Sequence, residues 1–379
     1  MNLHDTVVIG GGPAGAAAAI ELARAGQRVS LLEREKSPHD KVCGEFISWD
    51  TAYYLALLGV DLKHLGAQPI RRLRLCSGAT ESETRLPFNA WSLSRRRLDE
   101  ALLEQAEQCG AEIHRGVAVR GLQEGSEGWV ITTAESRFVA RNVFLATGKR
   151  DLRQWRRPVK PENRDLIGLK MHLRLQREQQ RELRGHVEVF LYDGGYAGLE
   201  PVEDGKANLC FLLPKARYKS CNGSWPGILQ WLCGTSPLLE RRLVGCRSLW
   251  SRPLAVHGTP YGFLHPPGAA RPGLFRLGDQ TAVIPSFAGD GMAIALHSGF
   301  LAARACLSGS GSRRYQHQAH RAFRSPVRRA RLLSNGLQYL AARKAAVTLA
   351  RAWPAVLTRS VSLTRLQADQ LVGDRVPAD

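Results

Sequence analysis

Between Gly291 and Ala368 the sequence contains no Asp or Glu, although Lys and Arg occur there thirteen times. The whole chain leans the same way: 379 residues carry 53 Lys and Arg against 34 Asp and Glu, a formal net charge of +19. Apolar residues interleave the basic run at helical spacings, among them Leu332, Leu333, Leu337, Leu340, Val347, Trp353 and Val356. Basic amphipathic helices of this kind suit an anionic membrane surface, and a solvated basic helix face is the plainer reading. No recognisable DNA- or RNA-binding motif accompanies the arginines, so no specific nucleic-acid partner is expected.

Other absences narrow the field. The eight cysteines never form a CxxC pair, which argues against a zinc site or a disulfide framework and fits reduced thiols. No metal-ligand spacing, Ser–His–Asp pattern or paired catalytic carboxylates can be read, and no metal is expected. His257, His265 and His297 are isolated and read as structural. No uncharged apolar run reaches the length of a membrane span. No basic-then-apolar leader precedes the first strand, so a cytoplasmic location is expected, peripheral on the inner membrane face if the basic region meets lipid.

What is present begins at once. Thr6-Val7-Val8-Ile9 reads as a buried parallel strand, followed by Gly10-Gly11-Gly12-Pro13-Ala14-Gly15. Gly10 permits a tight turn, Gly12 lets the backbone approach a pyrophosphate, and Gly15 lets the next helix pack against the strand. The helix Ala14–Ala25 then offers free N–H groups and a positive dipole end to phosphates. A second β run ends on Glu33, placed to accept hydrogen bonds from a ribose diol, with Arg34 beside it. Strand, glycines, helix and terminal acid arrive in register, which predicts a dinucleotide cofactor.

Farther along, Ile70–Leu86 reads as a hairpin, and Ser94-Arg95-Arg96-Arg97 opens an amphipathic helix. Arg141–Leu145 is another buried strand, ending at Ala146-Thr147-Gly148. From about Ile167 to Val256, strand-like runs broken by Asp193-Gly194-Gly195 and Glu203-Asp204-Gly205 suggest a mostly antiparallel sheet. Leu274–Leu277 then leads into Gly278-Asp279, and Gly289-Asp290-Gly291-Met292 opens another helix. The expected fold class is α/β: a Rossmann-like dinucleotide-binding domain (residues 1–165 and 270–310), interrupted by a mostly antiparallel β-sheet substrate domain (166–269), with a basic helical C-terminal region (311–379).

At Gly278-Asp279 the chain resembles the flavoprotein monooxygenase superfamily, over about residues 5–305. Lys41-Val42-Cys43-Gly44 and Gly195-Tyr196-Ala197-Gly198-Leu199-Glu200-Pro201 look more like its geranylgeranyl reductase branch. The resemblance implies FAD, with Arg95 near the pyrophosphate, Val119 touching the adenosine half through its backbone, and Lys41 near the flavin. It places Cys43 in the substrate cavity, where a buried hydrophobe is the other reading. Asp279, ending a strand, can accept hydrogen bonds from the ribityl chain. The turn through Gly289, Asp290, Gly291 and Met292 would present N–H donors to the flavin's pyrimidine edge. Three departures stand out. Ala146-Thr147-Gly148 replaces the usual Asp-Gly pair, the turn from Pro285 to Gly289 has one residue more than the usual Pro-x-x-Gly, and the Tyr196–Pro201 segment lacks the branch's two other aromatics. No Trp-x-Trp occurs, which sets halogenase chemistry low.

The implied function is an FAD-dependent oxidoreductase, a hydroxylase or a double-bond reductase, acting on a lipophilic or aromatic small molecule of isoprenoid or polyketide type. Tyr196 and Phe211 are candidate lining residues. No second dinucleotide fold is visible, so an NAD(P)H donor would bind transiently. The alternative is a membrane-surface flavoprotein that carries electrons to a quinone without transforming an organic substrate.

Overall fold

The computed structural model describes residues 3–158, 160, 165–363 and 365–366. The last part of the expected basic region, residues 367–379, lies outside the described residues.

Strand β1 (Leu3–Ile9) forms between two parallel partners, β2 (Val29–Glu33) and β9 (Arg137–Leu145). Val7, Val8 and Ile9 are buried because both faces of this sheet are covered, the condition that makes a parallel strand read as a continuous apolar run. β6 (Glu112–Arg115) extends the sheet beyond β2, and β16 (Leu274–Arg276) returns from late in the chain to pair with β9. β7 (Gly121–Gly125) and β8 (Gly128–Thr132) add an antiparallel meander. The helix α1 (Pro13–Arg24) packs against the late helix Gly291–Leu307 through small residues. A Cβ added at Gly299 would lie 2.6 Å from the Ala14 carbonyl oxygen, so the two helices meet almost backbone to backbone.

The second sheet runs β14-β10-β13-β12-β11-β4-β5-β3, where β14 is Arg247–Ser248 and β3 is Phe46–Ile47, with β15 (Leu254–His257) paired to β10. β10 (Leu166–Arg174), β13 (Lys206–Pro214), β12 (Gly195–Val202) and β11 (His186–Tyr192) are antiparallel neighbours, as expected. The structure departs from expectation in the next strands. The early hairpin, β4 (Gln68–Ser77) and β5 (Thr80–Ser92), joins this sheet through a parallel pairing of β4 with β11. Sheet membership therefore does not follow a division at residue 165. The hairpin was legible locally, but the partner of its outer edge was set by contacts more than a hundred residues away.

One face of the second sheet packs Leu169, Met171, Leu199, Leu209 and Phe211 against the helices Trp225–Cys233 and Pro237–Leu243. The opposite face carries Tyr196, Gly198 and Glu200 on β12, Asn208 and Cys210 on β13, and Lys170 and His172 on β10, by the alternation of paired strands. Over β4 and β5 lie the helices Leu340–Ala352 and Pro354–Leu363, reached after the long amphipathic helix Gly311–Gly336. That helix buries Tyr315, Ala319, Phe323, Val327 and Ala330 against the core and turns its arginines outward. Among the described residues no helix is long and apolar enough to cross a membrane.

Two histidines read as structural are buried here. Burial, with Arg304 nearby, lowers the His297 imidazole to about 3, and burial with Arg276 lowers His265 to about 4. Both stay neutral in the fold while the unfolded chain protonates them near their ordinary value of about 6.5. The unfolded state therefore binds more protons, and stability falls as pH drops below that value. From pH 7 to pH 5 the loss should approach about 2 kcal/mol per histidine. Thermal melts across that interval check it. A His297→Gln variant whose melting temperature falls as steeply as the parent's would contradict the assignment.

Candidate functional site

The glycine turn is shaped for a phosphate. Gly10 holds φ +110°, and a Cβ there would lie 2.5 Å from the Ala146 carbonyl oxygen. A Cβ at Gly15 would lie 2.0 Å from the Gly10 carbonyl oxygen, so α1 is locked under the turn. Gly12 is different: its open side faces Arg95 Nη2 at 3.7 Å and Lys41 Nζ at 3.9 Å. Gly12 caps α1 without any side-chain hydrogen bond, and Pro13 follows as the first helical residue. Two cations and the uncapped end of a helix thus converge on one half-buried glycine.

Arg95 opens helix α3 (Arg95–Gln108), capped by Ser94. Its guanidinium donates to Asp99 at 2.7 and 2.9 Å, and Lys41 pairs with the same carboxylate at 2.8 Å. Of the three arginines in the run, Arg95 alone approaches the turn. Arg97 instead pairs with Asp204 at 2.8 Å, and Arg96 lies on the exposed side of the helix. One carboxylate balances two cations, so the cradle keeps a net positive charge suited to a pyrophosphate. Asp99 was not foreseen, although its position four residues after Arg95 was the available signal.

At the adenosine end, the Glu33 carboxylate accepts from Gly11 N at 2.7 Å and from Glu35 N at 3.0 Å. These bonds fix its orientation and leave lone pairs for a diol. Arg34 points outward and pairs with Glu35. Val119 lies in the irregular stretch between β6 and β7, partly packed against the apolar cluster around Trp129.

Beyond β9 the Thr147 hydroxyl donates to the Arg150 carbonyl at 2.6 Å, and Gly148 has open space where a Cβ would sit. Gly278 N donates to Ser298 Oγ at 2.8 Å, and Asp279 is half-buried, with its backbone carbonyl accepting from Arg157. The Asp279 carboxylate has no hydrogen-bonding partner among the described residues. Gly289 is left-handed, and Gly291 opens its helix into free space. Two members of that turn face inward instead. Asp290 is fully buried and pairs with Arg365, and Met292 belongs to the core. Their side chains cannot meet a cofactor, so only the backbone of this turn remains available to one.

A buried ionic cluster anchors the loop that carries Cys43. Glu45, itself at φ +61°, pairs through Oε1 with Lys170 and accepts Arg95 N at 2.8 Å, while Oε2 bonds to His172 Nε2 at 2.7 Å. Burial alone would raise the Glu45 carboxyl, but Lys170 and His172 hold it below its ordinary value. Asp40 stands 3.7 Å from Lys170 Nζ. Asp40, Glu45 and His172 could in principle ligate a cation, but the Lys170 ammonium already occupies that negative field. Beside them Asn208 Nδ2 donates to the Cys43 and Gly44 carbonyls, at 3.2 and 2.9 Å. Cys43 Sγ accepts from Glu45 N at 3.4 Å. Burial, with the charge of Glu45 adding to it, pushes Glu200 well above the carboxylate range. Kept protonated, Glu200 can donate to Asn208 Oδ1, its neighbour across the β12–β13 pair and also without a partner. None of this cluster except Cys43 was anticipated. Lys170 and His172, two residues apart inside an apolar strand, were the signal that one face met something polar.

Tyr196 reaches the cleft, where its hydroxyl donates to Ser286 Oγ at 2.7 Å and Ser286 donates to Tyr261 Oη at 3.3 Å. Burial raises both tyrosine hydroxyls above their ordinary value, so they stay protonated at neutral pH. Phe211 does not join them. It is buried on the other face of the sheet, stacked on Trp225, because the register sets Cys210 and Leu212 toward the cleft.

FAD fits these residues: an extended dinucleotide needs an anion cradle, an acid for the ribose and approachable backbone. Gly12, Gly148 and Gly291 supply room with Arg95, Lys41 and Glu33 around it. Comparison with known proteins agrees. Residues 4–140 match the family described as FAD binding domain. The chain is 28% identical over 223 residues to a menaquinone reductase of Mycobacterium tuberculosis, a match spanning 54% of this chain and about half (54%) of that relative. It is 25% identical over 335 residues to a menaquinone reductase of Mycolicibacterium smegmatis, covering 82% of this chain and 78% of the relative. Among solved structures it resembles a flavin-dependent brominase, with TM-score 0.77 and 17% identity over 97% of this chain and 94% of the other, a likeness of fold alone. Residues 4–140 thus match an FAD-binding domain, and nearly the whole chain shares the fold of that flavin-dependent brominase.

Proposed function

We propose that the protein reduces a carbon–carbon double bond of a lipophilic, isoprenoid-type molecule, in the manner of the geranylgeranyl reductase branch. The observation that carries this reading is the hydroxyl chain Tyr196–Ser286–Tyr261 in the cleft between the FAD domain and the second sheet. Hydrogenating an alkene requires a hydride for one carbon and a proton for the other. FAD, when bound, supplies the hydride equivalents, and its own electrons come from a transient donor such as NAD(P)H. Tyr196 and Tyr261, both protonated, hold the proton, and Ser286 between them can pass a replacement inward. The apolar sector of the same sheet, Ile70, Leu73, Leu86 and Ala90 with Val187 and Val189, suits a hydrocarbon chain. The menaquinone reductase relatives support a reductase over a hydroxylase.

The test is anaerobic turnover of a polyprenyl quinone or polyprenyl diphosphate with chemically reduced holoprotein, followed by mass spectrometry. A product whose prenyl chain has gained two hydrogens, as distinct from a quinone ring reduced to the quinol, supports the reading. A product gaining oxygen once air is admitted would replace it with a hydroxylase. Rapid flavin reoxidation by the quinone with the prenyl chain unchanged would replace it with an electron carrier. Tyr196→Phe should lower turnover on the order of tenfold while FAD stays bound. That is below the usual range for a lone general acid because Ser286 and Tyr261 remain. Unchanged turnover with a shifted KM would remove Tyr196 from proton delivery.

A further inference from the structure

The exposed apolar residues of this protein are concentrated in one region. Of the twelve large apolar side chains exposed among the described residues, eight lie between Leu332 and Leu363. Tyr339 is 73% exposed, Leu332 63% and Trp353 62%, with Leu340, Leu349 and Leu363 close behind. These are not the inner faces of loosely attached helices. The helix Leu340–Ala352 buries Arg343, Val347 and Ala350 and lies over β4 and β5, leaving Leu349, Lys344 and Arg351 exposed on its outer side. The helix Gly311–Gly336 is likewise fixed by Tyr315 and Phe323, and its outer face runs through exposed Arg324, Arg328 and Arg329 to Leu332. No acidic residue interrupts this surface from Gly291 to Ala368.

We propose that the outer face of these C-terminal helices docks on an anionic lipid bilayer. Scattered single apolar residues are ordinary on a soluble surface, but aromatic and leucine side chains gathered among cations, in a segment without an acid of its own, form the pattern of an interfacial helix. Trp353 and Tyr339 have the amphipathic rings that settle at the headgroup level, and the flanking Lys and Arg gain from a negative surface potential. Charge argues against a second copy of the chain as occupant, because a two-fold contact would set this basic face against itself. Nucleic acid would use the arginines but gives exposed leucines nothing to bury in. The inner sides of the same helices roof the apolar β4–β5 sector. Docking would therefore hold that sector at the bilayer, where a prenyl chain resides. That last step rests on the proposed function, whereas docking itself is measured without turnover, so the two can fail separately.

The experiment is flotation of full-length holoprotein with vesicles of phosphatidylglycerol and phosphatidylcholine, and with phosphatidylcholine alone. Two double variants are compared, Leu349→Glu/Trp353→Glu and Lys344→Glu/Arg351→Glu, all at exposed positions. Flavin absorbance and melting temperature verify that each remains folded. We expect binding to anionic vesicles at least tenfold above binding to neutral ones, and a tenfold loss in either variant. Wild-type protein that stays unbound with anionic vesicles overturns the proposal. So does wild-type-like flotation of the Leu349→Glu/Trp353→Glu variant, or a lipid-independent dimer that these substitutions dissolve.

Discussion

Gly15→Val yields protein without flavin, if it yields folded protein at all. Even a single Cβ at this position would lie 2.0 Å from the Gly10 carbonyl oxygen and 3.0 Å from Val8 Cγ1, so valine forces α1 away from the strand below it. Displacing the helix moves the Gly12 cap and its free N–H groups away from the point where Arg95 and Lys41 converge. Cofactor retention should fall by more than a hundredfold, which corresponds to about 3 kcal/mol or more of lost binding. Flavin absorbance per protein after gel filtration reads the result. Gly12→Ala is the control, because its nearest neighbours are the ends of two flexible cations at 3.7 and 3.9 Å. It should remain folded and lose flavin only in part. A flavin-replete Gly15→Val variant would refute the geometry assigned to the turn.

The second large effect lies at Glu45. Glu45→Gln keeps the shape of the side chain and removes its charge, stranding Lys170 at 0% exposure with only Asp40 to oppose it. Breaking one half of a buried ion pair costs about 3–5 kcal/mol, and the nearby Asp40 places this case at the lower end. A urea titration should show the transition shifted by that amount. Adding Lys170→Met should restore much of the loss, because a buried pair replaced by apolar volume is often close to neutral. If the double variant is no more stable than the single one, the penalty lies in the lost bond from Arg95 N and not in the stranded charge. Flavin content should drop in the single variant as well, since Glu45 holds both the Cys43 loop and the first residue of α3.

Local chemistry made half of this site legible. Gly10, Gly12, Gly15 and Glu33 carry their meaning in spacing, whereas Arg95 was singled out by the family resemblance and not by local chemistry. The Glu45 cluster could not be read that way, because its members are joined across 125 and 127 residues and only the sheet brings them together. Tyr196 and Phe211 show how narrow the margin is. Both are aromatic and lie on neighbouring paired strands, yet one faces the cleft and the other the opposite core, because parity along a strand is fixed by a register that the sequence does not print. The burial of the Asp290 side chain was illegible for a third reason: its partner, Arg365, arrives from far along the chain.

The order in which the chain is made adds a constraint on when cofactor can be loaded. β1 and the glycine turn are synthesised long before the core beneath them is completed by β16 and the helix Gly291–Leu307, and Leu366 still contributes to it. At about 5–20 residues per second, tens of seconds separate the emergence of the turn from that of the strand and helix that support it. During that interval the second sheet has most of its partners, while the FAD domain has an open edge at β9. The phosphate cradle is therefore translated well before the elements that make it rigid. Flavin should enter a nearly finished polypeptide, and a supply that lags behind synthesis would leave the N-terminal sheet exposed to aggregation.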